Sequence, residues 1–368
     1  MKISDIELKR LEIPFRVSFK HAAAERSATE TVITIARSER GCIGYGEGCP
    51  RGYVTHESID SAQSFFEEIK STIVKVENLA SLKAWVMGNQ QQINANPAAW
   101  CSIETAILDL LGKEEEKSIE ALLELPELHG DFGYTAVLGV TNQKAFQAQL
   151  SQYAQLGFND FKIKLCGTYD ADRRNIDELF KLSDIRVRVD ANNFWRDADE
   201  AVLYIQSLGY PFWAIEEPLN VGDYAGLANV AQRLNAQIIL DESFLRIEQF
   251  ENISAYPVPW ILNIRISKMG GLIRSLQIAE EARARNLKFV IGAQVGETSI
   301  LTRLALSLAN SNRASLIAQE GAFGTYLLEH DVTDKPIMFG KNGRVTTESI
   351  VGDGLGVGCI STLGPKVP

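Results

Sequence analysis

The chain has 368 residues, 45% hydrophobic and 23% charged, with a formal net charge of -10. This is enough apolar material for one large core and a smaller companion domain, and an acidic chain without a Lys/Arg block argues against nucleic acid or an anionic membrane as partner. No stretch has the length and continuity of a membrane-spanning helix, and the opening MKISDIELKR has no signal-peptide core, so a cytoplasmic protein is expected. The five cysteines, Cys42, Cys49, Cys101, Cys166 and Cys359, form an odd set without a CxxC pair and read as reduced thiols.

In chain order, residues 1–130 predict an α+β domain. SDIELKRLEIPF and TETVITIARSE alternate as antiparallel strands do, GCIGYGEG reads as a glycine-rich turn region, and SIDSAQSFFEEIKSTIV and AAWCSIETAILDLLGK as helices. Residues 131–332 then repeat strand and helix. Candidate strands are YTAVLGV (134–140), FKIKLC (161–166), IRVRVDA (185–191), FWAIEE (212–217), QIILDE (237–242), ILNIRIS (261–267), KFVIGA (288–293) and SLIAQE (315–320). Amphipathic stretches such as NQKAFQAQLSQYAQLG and LIRSLQIAEEARARN separate them, so the series predicts a (β/α)8, TIM-like barrel. A doubly wound open sheet is the alternative, but no GxGxxG follows the first strand. The glycine-rich tail, 333–368, is too short to fold alone and is expected to pack back on the first domain and complete it as a cap.

Three carboxylates close successive apolar runs one structural repeat apart: Asp190 in IRVRVDANN, Glu216 in FWAIEEP and Asp241 in AQIILDES. On parallel barrel strands they converge at the C-terminal mouth, where such folds place their chemistry. Carboxylates brought that close repel one another unless a cation joins them. With only oxygen donors the expected metal is hard, Mg2+ first and Mn2+ second. The plain alternative is that Asp190 and Asp241 cap the helices that follow.

The ordered motifs FKIK, VDAN, IEEP, LDES and NIRISKMGG, behind an α+β domain carrying GYGEG and WCSIETAILDLLGK, resemble the enolase superfamily, and within it the muconate lactonizing enzyme subgroup, over nearly the whole chain. The resemblance implies a capping domain over a modified barrel, and metal-assisted removal of the proton α to a carboxylate to give an enediolate. It makes Asp190, Glu216 and Asp241 the metal ligands and Lys164 the base. Lys162, two residues back on the same strand face, is expected to lower a lysine pKa towards neutrality by like-charge repulsion. Asn192 and Glu217 are expected to orient ligands or bind Lys164.

Many racemases and epimerases of the subgroup carry a second lysine on the sixth strand, about where this chain has Arg265. Strand alternation places Asn263, Arg265 and Ser267 on one face and Lys268 on the other, which favours a single lysine base, with Arg265 steadying negative charge. The alternative is that Lys268 reaches the site. In GAQVGETS, Gln294 and Glu297 lie near the mouth; Glu297 resembles an acidic residue of the seventh strand, or else caps the next helix. After the eighth strand, AQEGAFG lacks the Asp-x-Asp pair with which dipeptide epimerases of the family bind the substrate ammonium, and Glu320 is the nearby candidate. None of the four histidines stands in a KxH on the second strand, which disfavours a histidine base. The family's substrate loops correspond to 15–30 and 46–58, where Lys20, His21, Arg26, Arg51 and Tyr53 suggest a positive funnel for a second anionic group.

The expectation is therefore a Mg2+-dependent lyase or isomerase of a small carboxylate, acting by one-base β-elimination or cycloisomerisation and assembled as a homo-oligomer. A two-base racemase or dipeptide epimerase is the alternative. From other classes there remain a Schiff-base aldolase on Lys164 and a non-catalytic binding protein on an inherited fold.

Overall fold

The computed structural model describes residues 1–21 and 24–358, and in the stretch 17–26 it describes no side chains. The N-terminal region forms a three-stranded antiparallel sheet of Ile3–Leu11, Thr31–Ser38 and Ile43–Gly48, with Thr31–Ser38 in the centre. A second antiparallel pair joins Pro14–His21 with Ala24–Ala28. GCIGYGEG is thus largely a strand, not the turn its glycines suggest. The reason lies in the helix Pro97–Glu115, which lies directly on it. A Cβ at Gly44, Gly46 or Gly48 would stand 2.1, 2.0 and 1.9 Å from the carbonyl oxygens of Ala106, Ser102 and Ala98. The alternate glycines therefore form a smooth face that lets the helix approach, and the helix is correspondingly buried on nearly every side. Its N-terminus is capped by Glu57, whose carboxylate accepts from the Ala98 and Ala99 amides.

Eight parallel strands follow, each hydrogen-bonded to its neighbours in chain order: Ala136–Leu138, Asp160–Lys164, Arg186–Asp190, Ala214–Glu216, Gln237–Leu240, Trp260–Ile264, Lys288–Ile291 and Leu316–Gln319. Helices on the outside bury apolar stripes against them, as Phe146, Leu150 and Tyr153 do from Gln143–Gln155. A separate layer of Ala214, Ile239, Ile261, Val290 and Ala318 fills the barrel interior. The circle is incomplete: no ladder joins the first strand to the eighth among the described residues, and a single backbone bond, Thr135 N to Gln319 O at 2.7 Å, crosses the seam. The eighth strand leads into a one-turn 3-10 helix, Gly324–Tyr326, in place of a full outer helix.

The register positions the chemistry. Lys164 pairs with Asp190, and Asp190 with Glu216, so these three side chains stand in one row across the second, third and fourth strands. Asp241 follows directly after the fifth strand.

Buried polar contacts lock the cap to the barrel. Glu47 accepts from the Thr298 amide and hydroxyl at the start of helix Ser299–Ser311, the Cys49 amide donates to Ser267 Oγ, and Arg303 pairs with Glu120 at 2.8 Å. The tail serves both parts: Arg344–Thr346 pairs with Asp131–Gly133 at the barrel's base, and the Leu355 amide donates to Asp109 of the cap's long helix. Cys42, Cys49, Cys101 and Cys166 are unpaired thiols, and Cys359 lies outside the described residues. Among the described residues no helix is long and apolar enough to cross a membrane.

Candidate active site

A cavity opens at the C-terminal ends of the barrel strands, with Lys162, Lys164, Glu242, Arg265, Gln294 and Glu320 at its polar end. Lys164 reaches it from the last residue of the second strand. Its ammonium donates to Asn192 Oδ1 at 2.9 Å and lies 3.1 Å from Asp190 Oδ2. Asn192 can turn inward because it adopts a left-handed conformation (φ 46°), fixed by its own amide donating to Asp190 Oδ1.

Lys162 is fully enclosed. Its ammonium contacts both oxygens of Glu216 at 2.9 Å, Asp190 at 3.1 Å and Glu320 at 3.2 Å. Burial works to lower its pKa, but Asp190, Glu216 and Glu320 outweigh burial and hold it well above the ordinary lysine value. The expectation that paired ammoniums drive a lysine towards neutrality is therefore wrong for Lys162, because three carboxylates stand nearer the charge than repulsion from a neighbour can offset.

Strand alternation also fails at the sixth strand. The strand ends at Ile264, Arg265 is the N-cap of a single helical turn, Ile266–Met269, and Gly270 closes that turn at φ 79°. Lys268 consequently does not face away. It is buried and donates to Asp241 Oδ1, the Asp241 carbonyl and the Asn263 carbonyl, each at 2.8 Å. Arg265 also pairs with Asp241 and donates to Gln294 Oε1 at 3.1 Å. The two differ in access: Arg265 lines the cavity, whereas Lys268 has all three ammonium protons engaged beneath it.

Asp190, Glu216 and Asp241 thus come to adjacent strand ends, buried, but among the described residues no group of three acids already stands as a cation cage. Their charges are balanced by Lys162, Lys164, Arg265 and Lys268. The residues nonetheless fit a hard divalent cation. All donors are carboxylate oxygens, and Asp190 Oδ2 and the neighbouring Glu242 Oε2 are buried with no hydrogen-bond donor of good geometry. Burial, with Asp190, Glu320 and Asp241 nearby, raises Glu216 to about 7. Glu217, raised to about 7 chiefly by burial, accepts from the Asp241 and Ser243 amides and from Ser243 Oγ, and so shapes the loop that carries Asp241.

Other expected site residues have different places. Glu320 is bound by Arg188 and Lys162, so its charge is already balanced by two cations of the protein. Glu297 accepts from the Gln294 amide at 2.6 Å, turning the loop after the seventh strand so that Gln294 lines the cavity. Arg51 is no part of a positive funnel: it is buried and donates to the carbonyls of Glu30, Pro50 and Val295, clamping the cap loop to the barrel. Tyr53, on that loop, lines the cavity. The side chains of Lys20, His21 and Arg26 lie outside the described residues.

Sequence reasoning missed Arg188, Glu242 and Tyr326. Arg188 signalled itself, because alternation in IRVRVD puts it on the same inward face as Asp190. Glu242 sits on irregular backbone beyond its strand and Tyr326 in the 3-10 turn after the eighth, and neither gave a periodic signal.

Residues 5–124 match the mandelate racemase / muconate lactonizing enzyme N-terminal domain, and residues 145–359 the enolase C-terminal domain-like family. The chain belongs to the mandelate racemase/muconate lactonizing enzyme family of the enolase superfamily. It is an enzyme of that family's lyase and isomerase kind. It is 25% identical to the N-succinyl-L-Arg/Lys racemase of Bacillus cereus, covering 85% of each chain. It is 27% identical to the hydrophobic dipeptide epimerase of Enterococcus faecalis, over 87% of this chain and 92% of the relative. The substrate-liganded structure of the L-Ala-D/L-Glu epimerase from Bacillus subtilis superposes with a TM-score of 0.86 at 26% identity, over 98% of this chain and all of that one. The Enterococcus faecalis dipeptide epimerase has been solved with Mg and the dipeptide L-Leu-L-Tyr; its TM-score is 0.86 at 24% identity, over 97% of this chain and all of that one. These relatives are racemases and epimerases, not the lyases or cycloisomerases expected first from the sequence.

Proposed function

We propose that the protein is a Mg2+-dependent enzyme that removes the proton α to the carboxylate of a small substrate, with Lys164 as the base. The row of Lys164, Asp190 and Glu216 in register carries this reading, with Lys164 exposed to the cavity and the two acids buried beside it. Mg2+, or second Mn2+, would be held by Asp190, Glu216 and Asp241, and would supply positive charge beside the substrate carboxylate. Asn192 Oδ1 accepts from Lys164 and so aims its amine. Lys162, kept charged by its three carboxylates, adds a fixed positive charge to the floor where negative charge develops.

Two completions follow proton removal. Racemisation or epimerisation is the one the relatives support, and it requires a proton carrier on the second face other than the fully engaged Lys268. One observation favours a one-base course instead. The cation that lines the cavity from the end of the sixth strand is Arg265, and a guanidinium does not give up its proton. Incubating the Mg2+-loaded protein in D2O with dipeptides, N-acyl amino acids and other carboxylates distinguishes the two. Solvent deuterium in the inverted isomer means epimerisation, and deuterium with retention, or an eliminated or cyclised product, means one base. If no carboxylate exchanges its α-proton, the proposal falls.

A further inference from the structure

The cavity has a second half that the chemistry above does not use. From the lysines it runs to the open seam between the first and eighth barrel strands, where its walls are Val137, Gln149, Tyr153, Phe323, Tyr326 and Leu327. The chain turns sharply away after the eighth strand, at the open edge of the sheet. Gly321 has φ 100°, where a Cβ would lie 2.7 Å from that of Ala293, and Ala322 is held at φ 53°. This turn throws Phe323–Leu327 across the gap. The loop is fixed there from two sides. The Arg16 amide donates to the Leu327 carbonyl and the Arg16 side chain to the Leu328 and Glu329 carbonyls, while the Phe339 amide donates to the Ala322 carbonyl.

None of the six wall residues is charged. Tyr153 and Tyr326 stand nearly parallel with ring centroids 6.1 Å apart, Phe339 packs behind both, and the Tyr326 hydroxyl is buried without a hydrogen-bond partner. Among the described residues the acids that line the cavity are Glu242 and Glu320, and Glu320, which follows the eighth strand at the seam, is already bound by Arg188 and Lys162. A positively charged tail in this seam would lose its hydration without gaining a free counter-charge among the described wall residues, whereas an apolar or aromatic group would exchange water for ring and aliphatic contacts.

We infer that the seam is the specificity subsite, and that it takes an uncharged apolar group of about the size of one aromatic ring attached to the carboxylate substrate. The inference rests on the proposed function for the placement of the carboxylate, but its test does not need turnover. Calorimetric titration of the Mg2+-loaded protein with N-acetyl-L-phenylalanine, N-acetyl-L-alanine and N-acetyl-L-lysine should find the phenylalanine derivative bound at least about tenfold more tightly than the other two. Leu327→Trp, which fills the seam, should remove that preference, and Tyr326→Phe, which adds no volume, should keep it. Equal binding of the three ligands, binding of none, tighter binding of the lysine derivative, or a preference unchanged by Leu327→Trp would each overturn the inference. If the preference is found but no α-proton exchange occurs in D2O, the subsite stands and the proposed reaction falls.

Discussion

The second and sixth barrel strands both deliver cations to the site, by different routes. Asp160–Lys164 stays extended to its last residue, so Lys162 and Lys164 project to one side two residues apart, one among three carboxylates and the other at the cavity. Trp260–Ile264 stops one residue before Arg265, and the helical turn that follows brings Arg265 and Lys268, three apart, onto the same carboxylate of Asp241. In each place one cation is locked among buried acids, Lys162 on the cavity floor and Lys268 beneath it, and a second, Lys164 or Arg265, is left more open to the cavity. The arrangement is the same, written once with a period of two and once with the helical period of about 3.6.

The sharpest test of this pairing is to remove the exposed cation of the second strand. Lys164→Ala should lower α-proton exchange by roughly 10²–10⁴-fold, the range a positioned general base contributes. Its circular dichroism and Mg2+ affinity should stay near wild type, because Lys164 donates to Asn192 alone and otherwise only pairs in charge with Asp190 at the edge of the cluster. Undiminished exchange in this variant would remove Lys164 from the chemistry and leave the row of acids as a structural feature.

At the sixth strand the two cations should separate by readout. Arg265→Gln removes a cavity-facing charge and should reduce kcat by about 10²–10³-fold, as loss of an electrostatic stabiliser does, with a smaller fall in Tm than at Lys268 because the amide keeps a donor for Asp241. Lys268→Met instead leaves Asp241 Oδ1 and two carbonyls without their buried donor. Breaking such a pair costs about 3–5 kcal/mol, so this variant should be read first in a lowered Tm and weakened Mg2+ binding. A Lys268 variant of normal Tm and Mg2+ affinity that fails to exchange protons would make Lys268 the catalytic cation, and the strand comparison would be lost.

The same contrast explains what was legible in advance. Asp190 and Glu216 close their strands and Asp241 follows its strand at once, so the convergence of the three acids could be read from spacing, whereas Lys164 was placed by the resemblance of FKIK to the family's second strand. Lys268 could not be placed that way, because alternation was carried past Ile264 into a helical turn; the signal overlooked was the Gly270–Gly271 pair, which closes a helix better than it continues a strand. In the cap, the glycines of GCIGYGEG read as a turn because a helix lying against a strand leaves no local trace. Arg51 read as a funnel charge because nothing nearby in sequence announces the three carbonyls it binds, one of them at Val295.

The smallest expected effect lies outside the barrel and tests whether the cap shares the strand ends' dependence on buried charge. Glu57 is raised to about 7 by burial, against which its bonds from the Ala99 and Ala98 amides work. Its folded pKa lies above the unfolded carboxylate value, so the folded state binds its proton more tightly. The stability this contributes is fully present below the unfolded value of 4.5 and is lost as pH rises through about 7. With Mg2+ saturating, so that the acids at the strand ends are held ionised, wild-type Tm should fall between pH 5 and 8 more steeply than that of Glu57→Gln. The gap between the two proteins should change by about 2–4 °C for each kcal/mol of linkage. The variant sits lower at acid pH because an amide offers one acceptor where the carboxyl offers two, but its slope no longer contains this proton. Parallel Tm profiles would mean that Glu57 is ionised throughout, stabilised by the start of helix Pro97–Glu115, and that burial alone does not set its charge.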